Sequence, residues 1–274
     1  MPSRKPHPLV IRMEEKNQKV SVIIPCYNQG IHLRETVSSV LASTFPNIEI
    51  IVVNDGSTDN SLQLAKEIQK DHPQIILIDQ ENGGVSSARN IGIETAKGEI
   101  ILPLDGDDLI SPDYISEAVK VLVNRPEIKV VYCDGVKFDE TGQKEWKLKP
   151  FSRQLLAKDN MIFNAGLFRK KDWEKAGKYS VEMKTMGRED WEFWIKMLKN
   201  DGEVYKLPFV GFYYRLHPAS KRKKTSTREK KKERIDFLNS RHMDFFKREL
   251  NGPLRYQRSF SKTYNTILKW LNLI

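Results

Sequence analysis

The chain has 274 residues, 39% of them hydrophobic, and a formal net charge of +10. A chain of this length can bury a sizeable core as one large α/β domain, or as one domain with an appendage. The first nineteen residues hold no apolar segment of the secretory kind, and no run of about 18 apolar residues occurs, so we expect neither a signal peptide nor a membrane span. Two distant cysteines, Cys26 and Cys133, indicate neither a disulfide framework nor a zinc site. These features favour a cytoplasmic protein.

Four short apolar runs rich in β-branched residues predict buried strands at residues 20–25, 48–53, 75–78 and 99–104. Stretches with helical spacing of apolar residues separate them, and a fourth helix follows the last run. Right-handed βαβ crossovers require this alternation of strand and helix. The sequence therefore predicts an α/β fold with a Rossmann-like, mostly parallel sheet and helices on both faces.

The βα rhythm continues through a strand at residues 128–133 and then breaks. A short helix ends at Gly177, and the spacing of Trp191, Trp194, Ile195 and Leu198 predicts another. From Arg215 onward, 17 Lys and Arg stand against 5 Asp and Glu, so the positive charge belongs to the end of the chain. We therefore predict three parts: an N-terminal segment 1–19, a domain 20–217 and a basic, helical C-terminal extension 218–274.

Polar residues follow each predicted strand, and in open α/β sheets ligands bind beyond the carboxyl ends of the strands. Taken alone, the Asn, Asp and Gly after the second and third strands suit turns and helix starts. Three carboxylates within four positions, Asp105, Asp107 and Asp108, repel one another unless a cation or hydrogen bonds compensate. Together these strand ends predict a site for a nucleotide diphosphate. In this site Asp55 would contact the base and ribose, and the backbone of Gly83 and Gly84 and the guanidinium of Arg89 would donate hydrogen bonds. Oxygen ligands favour Mg²⁺ or Mn²⁺, held by Asp105 and Asp107.

Five motifs occur in order: VSVIIPCYNQG, IIVVNDGSTDNS, NGGVSSARNIGI, GEIILPLDGDDLISPDYI and GREDWEFWIKMLKNDG. In order and approximate spacing they closely resemble those of family 2 glycosyltransferases of the GT-A fold, from about Val20 to His217. The resemblance implies inverting transfer of a sugar from a nucleotide-diphosphate donor, usually a UDP-sugar, to an acceptor hydroxyl. One departure is the sequence at residues 177–180, GKYS, where the family often has a Gly-Gly-Phe-Asp-like turn, and this leaves the acceptor contacts open.

The resemblance also implies roles for individual residues. Pro25, Tyr27, Asn28 and Asp55 would hold the nucleoside, and Arg89 and Asn90 would lie near the nucleotide and sugar. Asp107 would coordinate the metal, with Asp105 near ribose and sugar and Asp108 as an orienting neighbour. Asp190, after Glu189, would be the base that deprotonates the attacking hydroxyl, although acids in a first helical turn also favour the helix dipole. Arg215, His217 and Ser220 would donate to phosphate oxygens, or His217 would complete the metal sphere.

The basic segment KRKKTSTREKKKER (221–234) precedes stretches in which Lys and Arg alternate with Phe, Trp, Leu and Ile. Such a pattern is typical of a peripheral anchor at the inner face of a membrane, and a lipid-linked acceptor would suit it. The same pattern fits a helix that packs its apolar side on the domain or on a partner subunit, as in a homodimer. Charge alone permits nucleic-acid binding, but no nucleic-acid module is recognisable, and we expect none.

Three functions remain open. The first is an active glycosyltransferase in the synthesis of a polysaccharide, glycolipid or cell-surface glycan. The second, a catalytically silent nucleotide-sugar-binding subunit, is disfavoured because the expected metal and base residues are present. The third, a nucleotidyltransferase, is disfavoured because no glycine-rich, lysine-bearing loop follows the first strand.

Overall fold

The computed structural model describes residues 17–185, 187–217 and 227–255, together with residues 266, 267, 270 and 271. Ser220 and all but three residues of the predicted N-terminal segment lie outside this set. The strands are β1 Val20–Cys26, β2 Ile48–Asp55, β3 Ile76–Gln80, β4 Ile100–Pro103, β5 Leu109–Ile110, β6 Ile128–Asp139, β7 Gly142–Trp146, β8 Leu167–Arg169 and β9 Glu203–Arg215. The helices are α1 Gly30–Leu41, α2 Ser61–Asp71, α3 Val85–Thr95, α4 Tyr114–Asn124, α5 Arg153–Leu156, α6 Lys170–Ala176, α7 Glu189–Leu198 and α8 Arg228–Leu250, with a 3-10 turn at Val181–Met183.

The strands form one sheet in the order β3-β2-β1-β4-β8-β6-β9-β5, with β7 beside β6. Strands β1 to β4 pair in parallel, as the alternation of strand and helix predicted. Strand β8 runs antiparallel to β4 and β6, whereas β6 and β9 are parallel. The sheet is therefore parallel in its first half and mixed in its second half, and the change falls where the βα rhythm of the sequence breaks.

The core forms because β1 is buried along its whole length and helices close directly on it. Helix α3 approaches at Gly92, where an added Cβ would lie 2.4 Å from Ile23 Cγ2, so only glycine allows this spacing. On α7 the predicted apolar face, Trp191, Trp194, Ile195 and Leu198, is fully buried. Core packing thus fixes both α3 and α7, whose polar residues reach the strand ends.

A short antiparallel pairing brings two distant segments to the same strand ends. Strand β5 pairs with the end of β9, so that Leu109 lies opposite Tyr213. The acidic loop Asp105–Asp108 comes directly before β5, while Arg215 and His217 follow Tyr213 closely. The pairing therefore places the Arg215 segment beside the acidic loop.

Helix α8 packs its apolar side on the rest of the protein. Its buried residues include Ile235, Leu238, Phe245, Phe246 and Leu250. This part of the basic extension adopts the packed arrangement rather than an exposed amphipathic one. The domain boundary at residue 217 stays a prediction. In the part of the chain that the structure describes, no helix combines the length and apolar character needed to cross a membrane.

Candidate active site

The loop after β3 is held by one buried carboxylate, that of Asp55 at the end of β2. Asp55 Oδ1 accepts hydrogen bonds from the Gly83 amide at 2.8 Å and from Gln80 Nε2 at 2.7 Å, and Oδ2 accepts from the Gly84 amide at 2.9 Å. A buried carboxylate needs such donors. Asp55 thus takes the hydrogen bonds of both the Gly83 and the Gly84 amide in this structure, and the donor role toward a diphosphate expected of these amides stays a prediction. The contact of Asp55 with a base and ribose stays a prediction.

Asn28 ties the end of β1 to the loop after β2. It lies in the left-handed region at φ 55°, which Asn tolerates better than most residues. The side-chain Oδ1 of Asn28 accepts a hydrogen bond from the Thr58 backbone amide at 2.8 Å, and the backbone amide of Asn28 donates to Ser57 Oγ at 3.1 Å. These hydrogen bonds of Asn28 fix the end of β1 relative to the loop after β2. The nucleoside contacts expected of Pro25, Tyr27 and Asn28, which all lie at the carboxyl end of β1, stay predictions.

The guanidinium of Arg89 joins the acidic loop to the start of α7. Its side chain is 2% exposed; Nη2 donates to Asp105 Oδ1 at 2.7 Å, and Nη1 lies 3.5 Å from Glu189 Oε1. Burial disfavours the charge on Arg89, but Asp105, Tyr179 and Glu189 outweigh burial and hold the pKa above its ordinary value. Arg89 therefore remains a cation between two acids that lie far apart in sequence.

Asn90, the neighbour of Arg89 on α3, has a structural task. Its Nδ2 donates to the Tyr179 carbonyl at 2.9 Å, and its Oδ1 accepts from the Tyr179 amide at 2.9 Å and from Trp173 Nε1 at 3.3 Å. The side-chain amide of buried Asn90 is thus hydrogen-bonded to the backbone after α6. Burial requires protein partners for this side chain, and Tyr179 and Trp173 supply them. The contact of Asn90 with nucleotide or sugar stays a prediction.

Asp107 and His217, both predicted metal ligands, meet in the structure. His217 Nε2 lies 2.7 Å from Asp107 Oδ2. Arg215 Nε donates to the Asp107 carbonyl at 2.9 Å, and Arg215 Nη2 donates to Glu35 Oε2 at 2.5 Å. Backbone and side chain of the acidic loop are thus bound to the segment after β9. The phosphate contact expected of Arg215 stays a prediction.

Asp108 follows Asp107 in the acidic loop. Its Oδ1 accepts from the Arg215 amide at 2.9 Å, while its buried Oδ2 has no hydrogen-bond partner among the described residues. Burial, followed by repulsion from Asp107 and Asp105, raises the pKa of Asp108 well above its ordinary value. The surroundings of Asp108 therefore disfavour a further negative charge in the acidic loop.

These residues fit a divalent cation that is shared with a ligand rather than enclosed by the protein. Among the described side chains, no three from His, Cys, Asp and Glu converge closely enough to hold a metal alone. Asp107 and His217 offer one oxygen and one nitrogen, and the adjacent Asp108 retains an oxygen without a hydrogen-bond partner among the described residues. In nucleotide sites Mg²⁺ is commonly held by one or two carboxylates together with substrate phosphates.

The protein orients both carboxylate oxygens of Asp190, in the first turn of α7. Oδ1 accepts from the Trp191 amide at 2.9 Å, and Oδ2 accepts from Asn160 Nδ2 at 2.7 Å. Burial, followed by repulsion from Glu189, raises the pKa of Asp190 to about 6, although Arg89 opposes the change. A carboxylate with a pKa near neutrality is a better proton acceptor than an ordinary Asp.

Three contributors to the site were missed in the sequence. Asn160 follows α5; the ring of His32 on α1 lies 5.2 Å from that of His217; and the guanidinium of Arg89 lies 5.4 Å from the Tyr179 ring centroid. An Asn in a loop and a His on a helix carry no local signal of function. Tyr179 was visible only as a departure from the family turn.

The profile of Glycosyl transferase family 2 matches residues 21–183. This range includes β1 to β4 and the acidic loop, and it ends before Asp190. Over 166 residues the chain is 35% identical to the "Uncharacterized glycosyltransferase YibD" of Escherichia coli (strain K12), an alignment that covers 60% of this chain and 45% of YibD. The chain thus spans less than half the length of this relative.

Two solved structures share the fold at low identity. The crystal structure of Staphylococcus aureus TarS 1-349 in complex with UDP-GlcNAc matches with a TM-score of 0.64 and 20% identity, over 93% of this chain and 79% of that one. The mannosyltransferase PcManGT from Pyrobaculum calidifontis, in complex with GDP-Man and Mn²⁺, matches with a TM-score of 0.60 and 20% identity, over 98% and 74%. At this identity the likeness establishes the fold alone.

Proposed function

The chain belongs to glycosyltransferase family 2, and from that membership we propose that it transfers a sugar from a nucleotide diphosphate, a UDP-sugar first among them, to an acceptor hydroxyl. The transfer inverts the anomeric configuration by direct displacement. The observation that carries the proposal is Asp190: a carboxylate with a pKa of about 6, oriented at both oxygens, and joined through Glu189 and Arg89 to the acidic loop.

In this proposal Asp190 acts as the base. It accepts the proton of the acceptor hydroxyl as the oxygen attacks the anomeric carbon, on the face opposite the diphosphate. Trp191 and Asn160 hold the carboxylate so that the bond to the hydroxyl forms without reorientation. Arg89 remains charged and pairs with Asp105 and Glu189 beside the reacting sugar.

Asp107 and His217 would hold Mg²⁺ or Mn²⁺, and the metal would supply Lewis-acid stabilisation of the charge on the leaving diphosphate. Arg215, anchored on the Asp107 carbonyl and Glu35, adds positive potential there. That PcManGT carries Mn²⁺ with GDP-Man, and TarS carries UDP-GlcNAc, supports a metal and a nucleotide-sugar donor for this chain.

The donor site can be tested by thermal shift with UDP, GDP, CDP and dTDP, each with and without Mn²⁺. At about 100 times Kd, a ligand specific for the folded state stabilises it by about 2.7 kcal/mol. We expect a metal-dependent rise in Tm with UDP in the wild type, and loss of the metal-dependent part in Asp107→Asn. Asp71→Asn, an exposed carboxylate on α2, serves as the control. An unchanged Mn²⁺ effect in Asp107→Asn would contradict the ligand assignment.

Turnover separates this proposal from the other readings of the sequence. Incubation with a UDP-sugar, Mn²⁺ and an acceptor extract should release UDP if the chain is a glycosyltransferase. Release of pyrophosphate from nucleoside triphosphate and sugar phosphate would instead indicate a nucleotidyltransferase. Nucleotide binding without release of either product would favour a silent subunit.

We also place the acceptor at a membrane surface, as a lipid-linked glycan at its inner face. Near the C-terminus Ile267, Trp270 and Leu271 are exposed on a helical turn, with Trp270 83% exposed, in a region rich in Lys and Arg. Apolar side chains beside basic residues are typical of helices that lie in the interface of an anionic bilayer.

Sedimentation with vesicles tests this surface. The wild type should bind vesicles that contain anionic phosphatidylglycerol, bind phosphatidylcholine vesicles far less, and lose binding as salt rises. The double variant Ile267→Ser, Trp270→Ser should bind about tenfold or more weakly, because the apolar area that enters the interface is lost. Ile31→Ser, which removes an exposed Ile on α1, should have no effect. Equal binding by both variants would rule out the C-terminal turn as the contact.

A further inference from the structure

Helix α8 lies beyond the residues matched by the family profile, yet it contacts the turn that carries Asp190. Arg234, at the second turn of α8, is 3% exposed, and its Nε donates to the Gly187 carbonyl at 3.0 Å. Gly187 stands three residues before Asp190. A buried guanidinium from the C-terminal helix therefore reaches the segment that sets the position of the carboxylate.

The backbone at this point needs an external support. Gly187 and Arg188 have φ of 69° and 62°, so two consecutive residues, one of them not glycine, are left-handed. Arg188 is the N-cap of α7 but makes no side-chain cap, and its carbonyl accepts the Trp191 amide at 3.1 Å. A non-glycine residue is held in this region only where surrounding contacts determine it. The Arg234 bond to Gly187 is one such contact, and the ion pair of Arg188 with Asp159 is another.

A second contact between α8 and α7 lies on the other side of Asp190. Glu192 is completely buried and accepts from His242 Nε2 at 3.0 Å, with Lys196 Nζ at 3.5 Å. His242 interrupts α8 with a non-helical φ of −132°. Helix α8 thus contacts the turn before α7 at Gly187 and α7 itself at Glu192, and these two positions lie on either side of Asp190 in the sequence.

We propose that Arg234 is a positioning residue for Asp190, which it holds in its reactive place through the Gly187–Arg188 turn. The inference rests on the proposed role of Asp190 as the base. The C-terminal helix is then part of the catalytic unit rather than a basic appendage.

The charge of Arg234 agrees with this role. Burial, followed by repulsion from Arg188, lowers the pKa of Arg234 to about 10, while Glu189, Asp190 and Asp159 act in the opposite direction. Arg234 therefore stays protonated at neutral pH and favours ionised carboxylates near it. The groups that face Asp190 are Glu189 on α7, Arg89 on α3, Arg188 before α7, Tyr179 after α6, Asn160 and Asp159 after α5, and Arg234 on α8.

The test compares Arg234→Met and Arg234→Lys with Arg241→Met. Arg241, on the same helix, pairs with Glu182 at the exposed surface, and this ion pair involves neither α7 nor its preceding turn. The pKa of Asp190 is read by ¹³C NMR of protein labelled at the aspartate carboxyl carbons, with the signal assigned by its loss in Asp190→Asn. Turnover is read as UDP release from a UDP-sugar panel.

We expect Arg234→Met to raise the Asp190 titration midpoint by about half a pH unit and to lower kcat about 10-fold to 100-fold, with a smaller change in donor KM. Arg234→Lys keeps the charge but not the planar guanidinium donor. The Asp190 titration midpoint in this variant should therefore stay near the wild-type value, while kcat still falls. Arg241→Met should match the wild type in the Asp190 titration midpoint and in kcat. If Arg234→Met does not fold, the kcat of Arg234→Lys tests the inference.

The outcomes separate this inference from the proposed function. If Asp190→Asn turns over like the wild type, the base role fails, whatever Arg234 does. If Asp190→Asn is inactive while both Arg234 variants titrate and turn over like the wild type, only the positioning role of Arg234 is overturned. A fall in Tm with an unchanged midpoint and unchanged kcat would leave Arg234 a purely structural residue and would likewise overturn the inference.

Discussion

Replacing Asp190 with Asn should lower kcat by roughly 10²- to 10⁴-fold, the range that general bases contribute. The amide cannot accept the proton of the acceptor hydroxyl, whereas its size and the bond from the Trp191 amide are retained. Donor binding should survive, because the acidic loop and the Asp107 and His217 pair are untouched. The measurement is UDP release under saturating donor, together with the Mn²⁺-dependent thermal shift with UDP.

The stability of Asp190→Asn supplies its control for folding. Because the pKa of Asp190 rises from 3.8 to about 6 on folding, the native state disfavours the charged form, and this cost is complete above pH 6 and absent below about pH 4. Removing the charge should therefore make the stability of the variant relative to the wild type higher at pH 8 than at pH 4, by about 1–2 kcal/mol after allowance for partial solvent access. The NH₂ group of Asn cannot accept the hydrogen bond from Asn160 Nδ2, and this loss applies at both pH values. A relative stability that does not rise from pH 4 to pH 8 would contradict the raised pKa of Asp190.

Replacing Arg89 with Met should destabilise the protein by about 3 kcal/mol, because it leaves Asp105 and Glu189 beside an apolar side chain in place of their cation. The two carboxylates retain 30% and 18% exposure, so water offsets part of the loss. For a protein of this size we expect Tm to fall by roughly 6–10 °C. The pKa of Asp190 should rise further, since Arg89 lowers it, and the acid limb of the pH–kcat profile should move to higher pH.

Arg34→Met is the matched control for this prediction. Arg34 pairs with Asp71 at 3.0 Å, but both side chains are more than half exposed, so the loss should stay below about 1 kcal/mol. Equal Tm changes in the two variants would mean that the Arg89 network contributes no more than a surface ion pair. If the acid limb of the pH–kcat profile does not move in Arg89→Met, Arg89 does not lower the pKa of Asp190.

Several features of the protein were readable from local sequence. The β-branched runs predicted the four parallel strands. Strands β1, β2 and β4 are buried almost throughout, whereas β3, at the edge of the sheet, is only partly buried. The acidic cluster indicated a cation site, since carboxylates so close in sequence cannot separate in space, and this cation stays a prediction. The spacing of Trp191, Trp194, Ile195 and Leu198 predicted the buried face of α7.

The tertiary structure decided which polar groups remain available to a ligand. The Gly83 amide and the Asn90 side chain looked free in sequence, but Asp55 and Tyr179 take their hydrogen bonds. Asn160 and Arg234 had no local signal, yet the fold brings them to Asp190 and to its turn. The physical reason is the same in each case: a buried polar group must find a partner, and that partner is chosen by packing between segments far apart in the chain.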